Sequence, residues 1–314
     1  MSIRKLLASS ASSVSTWGLR HLAKRPAANM PGKIALKLDP QIIAESMSKI
    51  TEGSIVVVGT NGKTTITNMI ADALERQGKT VACNRTGANL AYGVAATLLQ
   101  SKGAQWAVFE SDELWLAHTL PQVQASYVLL LNLFRDQLDR CGEIDRVQDA
   151  IVQALTESPD TVLLYNADDP LCAMVALRVP NKAISFGVGE DLHQQQNVVS
   201  DAQMCQRCSA MFTYEYRQYG QLGTYSCPNC GFKRPELDFA AKHAVFGDEI
   251  IFDVEERATG ASVSLRAQRA GVYMIYNVMA AWLASHCAGV NDEVFQQAVD
   301  LFDPQNGRLQ SLTI

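Results

Sequence analysis

No stretch of this 314-residue chain is apolar for long enough to cross a membrane as a helix. The longest apolar stretch, residues 127–134, is short and is broken by Asn132. Net positive charge is also lacking, because 27 Lys and Arg residues face 32 Asp and Glu residues, giving a formal charge of -5. Such a chain offers nucleic acid no general basic surface. We therefore expect a cytoplasmic globular protein that does not bind nucleic acid.

Acidic residues are absent from the first 38 positions, where seven Lys and Arg residues occur. Apolar residues such as Leu6, Leu7 and Trp17 recur there at roughly helical spacing. This combination favours a basic amphipathic helix that holds the protein peripherally at the inner face of the cell membrane. A solvated arm and an organellar transit peptide have a similar composition and remain alternatives.

Half of the eight cysteines form two closely spaced pairs. Cys205 and Cys208 are followed, after eighteen intervening residues, by Cys227 and Cys230. In a chain expected in a reducing compartment, two C-x₂-C pairs indicate metal ligation rather than disulfides. Four thiolates close a tetrahedral site, which is typical of structural Zn²⁺. Alternating aromatic and polar residues between the pairs predict a two-stranded ribbon, and its near balance of basic and acidic residues argues against nucleic-acid binding.

One glycine of the usual phosphate-binding pattern is missing, because residue 57 is Val. What remains is G-x-x-G-K-T at residues 59–64, between a β-branched strand and a helical pattern. Backbone N–H groups at such a turn bind phosphate. Lys63 adds charge for the β- and γ-phosphates, and Thr64 supplies a hydroxyl to Mg²⁺. Glu110 ends another predicted strand and is placed to be a second Mg²⁺ ligand. The pattern predicts nucleotide binding, with an ordinary strand-to-helix turn as the alternative.

Strands are predicted at residues 55–58, 81–84, 105–109, 127–131 and 161–165, with helical spacing between them, and residues 244–266 alternate like a β-hairpin. The helix predicted at residues 63–77 has one apolar face, made by Ile66, Met69, Ile70, Ala73 and Leu74. Alternation of strands and helices indicates parallel pairing. We expect an α/β fold, namely a P-loop doubly wound, mostly parallel sheet with an inserted zinc ribbon. Polar clusters follow the predicted strands, where ligands bind in such sheets.

Several motifs, in order along the chain, resemble the central ATPase domain of the Mur ligase family. They are GTNGKTT at 59–65, Glu110 after its strand, NLFRDQLDR at 132–140, NADDP at 166–170, GVYMIYNVMAA at 271–281 and GR at 307–308. The shortened phosphate loop is that family's own form. Within the family, the resemblance is to the branch that amidates lipid II, through PGKIAL at 31–36, NRTGANL at 84–90 and the four-cysteine insert.

The resemblance implies an ATP-dependent amide ligase subunit of peptidoglycan synthesis. Such a subunit activates the α-carboxyl of D-isoglutamate in the lipid II stem peptide as an acyl phosphate, which ammonia from a GatD-like glutaminase subunit converts to the amide. The chain has no G-x-C-x-G or G-x-S-x-G elbow, so we expect the glutaminase on another chain. Two alternatives stay open: a Mur- or folylpolyglutamate-type amino-acid ligase, and a zinc-containing ATP-binding module without catalysis.

The resemblance also implies roles for individual residues. Lys63, Glu110 and Asn89 are expected in catalysis, and Thr64 and Glu110 as Mg²⁺ ligands. Asn277 is expected to contact the base and Arg308 the γ-phosphate, while Asn166, Asp168 and Asp169 shape a nearby loop. The expected nucleotide-binding set is Gly59, Thr60, Asn61, Gly62, Lys63, Thr64, Thr65, Asn277 and Arg308.

The chain departs from the family's pattern at both ends and in the metal motif. Gln137 stands where many members have histidine, and residues 151–156 contain no counterpart of their carbamylated lysine, which puts a second Mg²⁺ in doubt. About fifty residues precede the phosphate loop, too few for a UDP-binding domain; a lipid-anchored substrate fits that. We expect a truncated chain with these segments: a basic arm and lead-in (1–50), the ATPase domain in two parts (51–197 and 241–303), the zinc ribbon (198–240), and a hinge (304–314) to a C-terminal domain that the chain lacks.

Overall fold

The computed structural model describes residues 30–101, 103–134, 143–193, 203–268 and 271–302. The helices are α1 (Met30–Leu38), α2 (Ile42–Met47), α3 (Lys63–Arg76), α4 (Ala91–Ser101), α5 (Leu116–Val123), α6 (Glu143–Thr156), α7 (Pro170–Arg178), α8 (Val272–Cys287) and α9 (Asp292–Asp300). The strands are β1 (Ile50–Val58), β2 (Val81–Cys83), β3 (Ala104–Glu110), β4 (Tyr127–Leu130), β5 (Val162–Asn166), β6 (Ala183–Val188), β7 (Thr213–Tyr219), β8 (Leu222–Ser226), β9 (Phe239–Phe246), β10 (Ile250–Glu256) and β11 (Ser262–Ala267).

The described strands form one nine-stranded sheet and a separate two-stranded ribbon. The order in the large sheet is β11-β10-β9-β6-β5-β4-β1-β3-β2. From β2 across to β9 every pairing is parallel, whereas β9, β10 and β11 are antiparallel. This confirms the mostly parallel α/β fold. Strand order reverses at β1, and the crevice at such a switch point is where doubly wound sheets bind ligands.

Two apolar cores lie on the two faces of the sheet. Helices α3, α8 and α9 cover one face, while α1, α2 and α4 to α7 cover the other. Successive residues of β1 alternate between them, with Val56 and Val58 in one core and Ile55 and Val57 in the other. The apolar face predicted for α3 is buried in the second core, through Ile66, Met69, Ile70, Ala73 and Leu74. Because helices cover both faces of the sheet, a ligand-binding site is expected at the edge of the sheet, where the parallel strands end.

Compared with the predicted strands, the structure contains one additional strand before the ribbon, β6, and one additional strand after it. β6 was not predicted, because its sequence AISFGV includes a glycine. Gly187 is needed there, since a Cβ at that position would lie 2.5 Å from Asp168 Oδ1. The predicted hairpin at residues 244–266 is a three-stranded meander that begins at Phe239.

Some expectations fall outside the described residues, namely those for residues 1–29 of the basic arm, for Gln137, for Arg308 and for the hinge. Within the described ranges, no helix combines the length and the apolar character needed to cross a bilayer.

Candidate functional site

The phosphate loop connects β1 to α3 and turns at two glycines. Gly59 has φ 142° and Gly62 has φ 89°, values that favour glycine. Both are also closely packed, since an added Cβ would lie 2.9 Å from the Asn132 carbonyl oxygen at Gly59 and 2.8 Å from Asn277 Oδ1 at Gly62. Val57, by contrast, is fully buried inside β1 between its β3 and β4 neighbours. A glycine is unnecessary at position 57 because the loop begins two residues later.

The segment that follows β4, residues 131–134, holds the phosphate loop from outside. The Thr60 N–H donates to the Asn132 carbonyl at 2.9 Å, and the Thr60 hydroxyl accepts from the Phe134 N–H at 2.9 Å. The Asn132 side chain bonds the backbone of Asn61 twice, accepting from its N–H at 2.9 Å and donating to its carbonyl at 3.1 Å. These bonds fix the backbone of Thr60 and Asn61, the first half of the loop.

Lys63 begins α3 and folds back over the loop. Its Nζ donates to the carbonyls of Gly59 and Thr60 and lies 3.5 Å from Glu113 Oε1. Both charged side chains are only 15% exposed. No acidic residue occupies the first turn of α3, so no carboxylate of that turn opposes the helix dipole. Sequence analysis did not single out Glu113, although its position three residues after Glu110 was a usable signal.

Glu110 and Thr64 border the same small space. A Cβ at Gly87 would lie 3.5 Å from Glu110 Oε1 and 3.6 Å from Thr64 Oγ1. Glu110 is 2% exposed, and the Asn84 side chain fixes its backbone by accepting from its N–H at 2.9 Å and donating to its carbonyl at 3.0 Å. A carboxylate and a hydroxyl oxygen are donors that suit Mg²⁺, so these residues fit that ion.

The remaining predicted residues surround the same crevice to different degrees. Asn89 lies beyond β2, and its carbonyl accepts from the Asp112 N–H at 2.9 Å, which ties it to the loop after β3. Asn277 lies on α8, and its Oδ1 faces Gly62 of the phosphate loop. Thr65 lies in the first turn of α3 and is half-buried. The structure therefore brings β1, β3, β4 and α8 together around the phosphate loop.

Two adjacent carboxylates after β5 are completely buried. Asp168 accepts from Arg234 Nη1 at 2.8 Å, from the Tyr276 hydroxyl at 2.7 Å and from the Val188 N–H at 2.8 Å. Burial raises its pKa, although Arg234 and the hydrogen bonds act in the opposite direction. Asp168 therefore joins the ribbon, through Arg234, to β6 and α8.

Asp169 begins α7 and connects it to the segment after β4. Its carboxylate accepts from the N–H groups of Leu171 and Leu133 at 2.9 and 2.8 Å. Burial raises the pKa of Asp169 to about 6, in spite of these bonds. Asp169 thus contacts the segment that holds the phosphate loop, through Leu133, whereas the partners of Asp168 lie in the ribbon, β6 and α8.

The two C-x₂-C pairs come together at the base of the β7–β8 ribbon. The Sγ atoms of Cys205 and Cys230 are 3.5 Å apart, those of Cys208 and Cys227 are 3.4 Å apart, and all four lie within 4.8 Å of one another. A tetrahedral Zn²⁺ with bonds of about 2.3 Å places its sulfurs roughly 3.8 Å apart, so the four thiols fit that ion. The Asn229 side chain and the Ala210 N–H lower the pKa of Cys208 to about 6, which favours a thiolate there.

Comparison with known proteins agrees with this arrangement. The Mur ligase middle domain matches residues 57–285. The MurT subunit of lipid II isoglutaminyl synthase (glutamine-hydrolyzing) from Streptococcus pneumoniae is 32% identical over 291 residues, which are 91% of this chain and 63% of that protein. The corresponding subunit from Staphylococcus aureus strain COL is 28% identical over 307 residues, 94% of this chain and 68% of that protein.

A solved structure shares the fold as well. The pseudomurein peptide ligase type C from Methanothermus fervidus superposes with a TM-score of 0.67 at 21% identity, over 85% of this chain and 53% of that one. The chain spans about two thirds of the length of the curated relatives it matches. Since the middle-domain match covers the phosphate-loop edge of the sheet and the ribbon inserted into it, the chain belongs to the Mur ligase family.

Proposed function

We propose that this chain is the ATP-binding part of an amide ligase subunit that amidates lipid II. Its substrate would be the α-carboxyl of D-isoglutamate in the stem peptide, and its partner a GatD-like glutaminase subunit. The observation that carries the proposal is the phosphate loop fixed beside Glu110 and Glu113, at the sheet edge of a Mur ligase fold. The likeness to MurT along almost the whole chain supports the lipid II substrate and the glutaminase partner.

In this proposal the carboxylate oxygen attacks the γ-phosphorus of ATP, and ADP leaves. Ammonia released from glutamine on the partner then attacks the acyl carbon, phosphate leaves, and a proton is lost as the amide forms. The chain's own contribution is to position and neutralise the phosphates. N–H groups at the start of α3 bind phosphate oxygens. The Lys63 Nζ leaves the Gly59 and Thr60 carbonyls and binds the β- and γ-phosphates instead.

Other residues take supporting roles in the proposal. Thr64 and Glu110 would hold Mg²⁺, which neutralises phosphate charge when bound. Asn89, which is tied to the loop after β3, would lie near the reacting phosphate, and Asn277, on α8 beside Gly62, would contact the nucleotide. The four cysteines would hold a structural Zn²⁺ in a ribbon inserted between the two parts of the ATPase domain. A lipid-anchored substrate would bring the protein to the inner face of the cell membrane.

The first experiment measures ATP binding to this chain by isothermal titration calorimetry in the presence of Mg²⁺. We expect one site in the wild type and its loss in Lys63→Ala, whose thermal unfolding serves as the folding control. Absence of binding to the folded wild type would overturn the proposal.

The second experiment tests the substrate. The full-length protein is combined with the glutaminase subunit, and phosphate release is followed. We expect release only with lipid II and glutamine together, and mass spectrometry of the stem peptide should show the amide. Turnover with a free amino acid and a soluble precursor would instead identify an amino-acid ligase.

A further inference from the structure

We infer that the tip of the zinc ribbon positions the phosphate loop, with Gln221 as the positioning residue. This inference rests on the proposed function, since the loop is the proposed ATP site. Gln221 lies in the turn between β7 and β8 and is 0% exposed. Its Nε2 donates to the Leu133 carbonyl at 2.8 Å and lies 3.3 Å from Asp169 Oδ2. A ribbon side chain is thus buried against the segment that follows β4.

The contact at the ribbon tip extends beyond this hydrogen bond. The rings of Tyr219 and Phe134 meet edge to face with centroids 5.9 Å apart. Gly220 lies so close that a Cβ there would be 3.0 Å from Phe134 Cε1. Leu133 is bonded on both sides of its backbone, since its N–H donates to Asp169 Oδ2 at 2.8 Å while its carbonyl accepts from Gln221.

The opposite side of the same segment holds the phosphate loop. Phe134 exchanges two hydrogen bonds with the Thr60 hydroxyl, at 2.9 and 3.2 Å. Asn132 bonds the backbone of Thr60 and Asn61. Only three residues, Asn132 to Phe134, therefore separate the ribbon from the proposed nucleotide site. They have no helical or strand structure, so these contacts fix their backbone in place of a regular ladder of bonds.

The ribbon is itself fixed firmly enough to act as a support. Arg234 donates to Asp168 Oδ1 and to the Val188 carbonyl, at 2.8 and 2.9 Å, and is 15% exposed. The Gly223 N–H donates to the Asp168 carbonyl at 3.1 Å. Tyr225 is buried at 1% exposure within the aromatic cluster of the ribbon. Because the ribbon is fixed in this way, a displacement of its tip should move Leu133 and Phe134.

The chain offers a matched control in the same hairpin. Gln218 is also buried, at 4% exposure, and its side chain bonds the segment that follows β6. Its Nε2 donates to the Glu190 carbonyl, and its Oε1 accepts from the Leu192 N–H at 3.1 Å. Because these partners follow β6 and do not touch the phosphate loop, Gln218→Ala removes comparable ribbon contacts without disturbing Leu133.

The test measures ATP affinity, zinc content and the melting temperature of three proteins: the wild type, Gln221→Ala and Gln218→Ala. We expect Gln221→Ala to raise the Kd for ATP about fivefold to tenfold, because a buried hydrogen bond that orients the loop is lost. Gln218→Ala should change Kd less than about twofold at a similar melting temperature and zinc content. A Kd within twofold of the wild type for Gln221→Ala, or equal weakening by both variants, would overturn the inference.

A second readout does not depend on ATP. Hydrogen exchange of the peptide that contains Phe134 should be faster in Gln221→Ala than in Gln218→Ala, because the Phe134 N–H loses its fixed Thr60 partner. Unchanged exchange in that peptide would count against the inference. If Gln221→Ala does not fold, Tyr219→Ala replaces it, since Tyr219 is 41% exposed and its truncation removes only the ring contact with Phe134. A wild type that folds but does not bind ATP would refute the proposed function itself, whereas normal wild-type binding with no effect of the tip variants would refute this inference alone.

Discussion

Replacement of Asp168 by Asn should separate the ionic link to the ribbon from the other bonds of this carboxylate. Asp168 Oδ2 accepts from the Tyr276 hydroxyl and the Val188 N–H, whereas Oδ1 accepts only from Arg234. An Asn whose oxygen takes the place of Oδ2 keeps both neutral bonds. Its NH₂ group then faces the Arg234 guanidinium, which is a donor and carries a charge. The variant thus removes one interaction and preserves the shape of the site.

The expected cost follows from the burial of both partners. Asp168 is 0% and Arg234 15% exposed at the side chain, so the cation loses its counter-ion where little water can replace it. Breaking a buried pair from one side costs about 3 to 5 kcal/mol, and hydrogen bonds to charged groups contribute about 1.5 to 3 kcal/mol. Because Arg234 keeps some access to water and its bond to the Val188 carbonyl, we expect a loss of about 3 kcal/mol in the free energy of unfolding.

Guanidinium unfolding of Asp168→Asn, Arg234→Met and the double variant gives a double-mutant cycle. We expect the two single variants to be coupled by about 2 kcal/mol, so that the double variant is less destabilised than the sum of the singles. A loss below about 1 kcal/mol for Asp168→Asn, or a coupling near zero, would show that the pair does not anchor the ribbon.

Four further changes test the site and the fold. Lys63→Ala should weaken ATP binding more than tenfold in calorimetry with only a modest change in melting temperature, because its ion pair with Glu113 is 3.5 Å long and both side chains keep some contact with water. Equal affinity would contradict the phosphate role. Cys205→Ser should lower zinc content and melting temperature together, and full zinc retention would exclude this ligand. Gly62→Ala should weaken ATP binding, because Gly62 has φ 89° and the added Cβ would lie 2.8 Å from Asn277 Oδ1. Unchanged ATP affinity would mean that the loop can shift. The pKa of Asp169 is raised to about 6, so its contribution to stability is complete below about pH 4 and is lost as pH rises through 6. The stability of the wild type relative to Asp169→Asn should therefore fall by a few kcal/mol across that range in unfolding titrations, and a constant difference would contradict the burial of this carboxyl.

The sequence predicted those features that depend on local spacing. The phosphate loop, the apolar face of α3 and the two C-x₂-C pairs each lie within a short stretch, and their patterns follow from backbone geometry. The alternation of strands and helices predicted the parallel sheet. Each of these signals can be read without knowing which distant residues meet.

Features that depend on distant partners were not predictable in the same way. Asp168 and Arg234 are 66 positions apart, and Gln221 is 88 positions from Leu133. No periodicity indicates such a pair, because neither residue lies in a repeating pattern with the other. β6 was missed for a related reason, since its glycine accommodates Asp168, a residue of the loop that follows β5. The pairing of Glu113 with Lys63 depends on the fold in the same way, because the two residues lie on different elements of the chain.

The pairing of β6 with β9 has a consequence for the ribbon that carries the four cysteines. These two strands are parallel neighbours, with Phe186 opposite Phe239, yet the ribbon lies between them in the chain. Parallel neighbours cannot be joined by a tight turn, because the chain must return to the starting end of the sheet before it can enter the next strand. The ribbon occupies the place in the chain where an α/β fold usually has a crossover helix. Excising it and joining its ends by a short linker would leave β9, and the two strands that depend on it, without a route into the sheet.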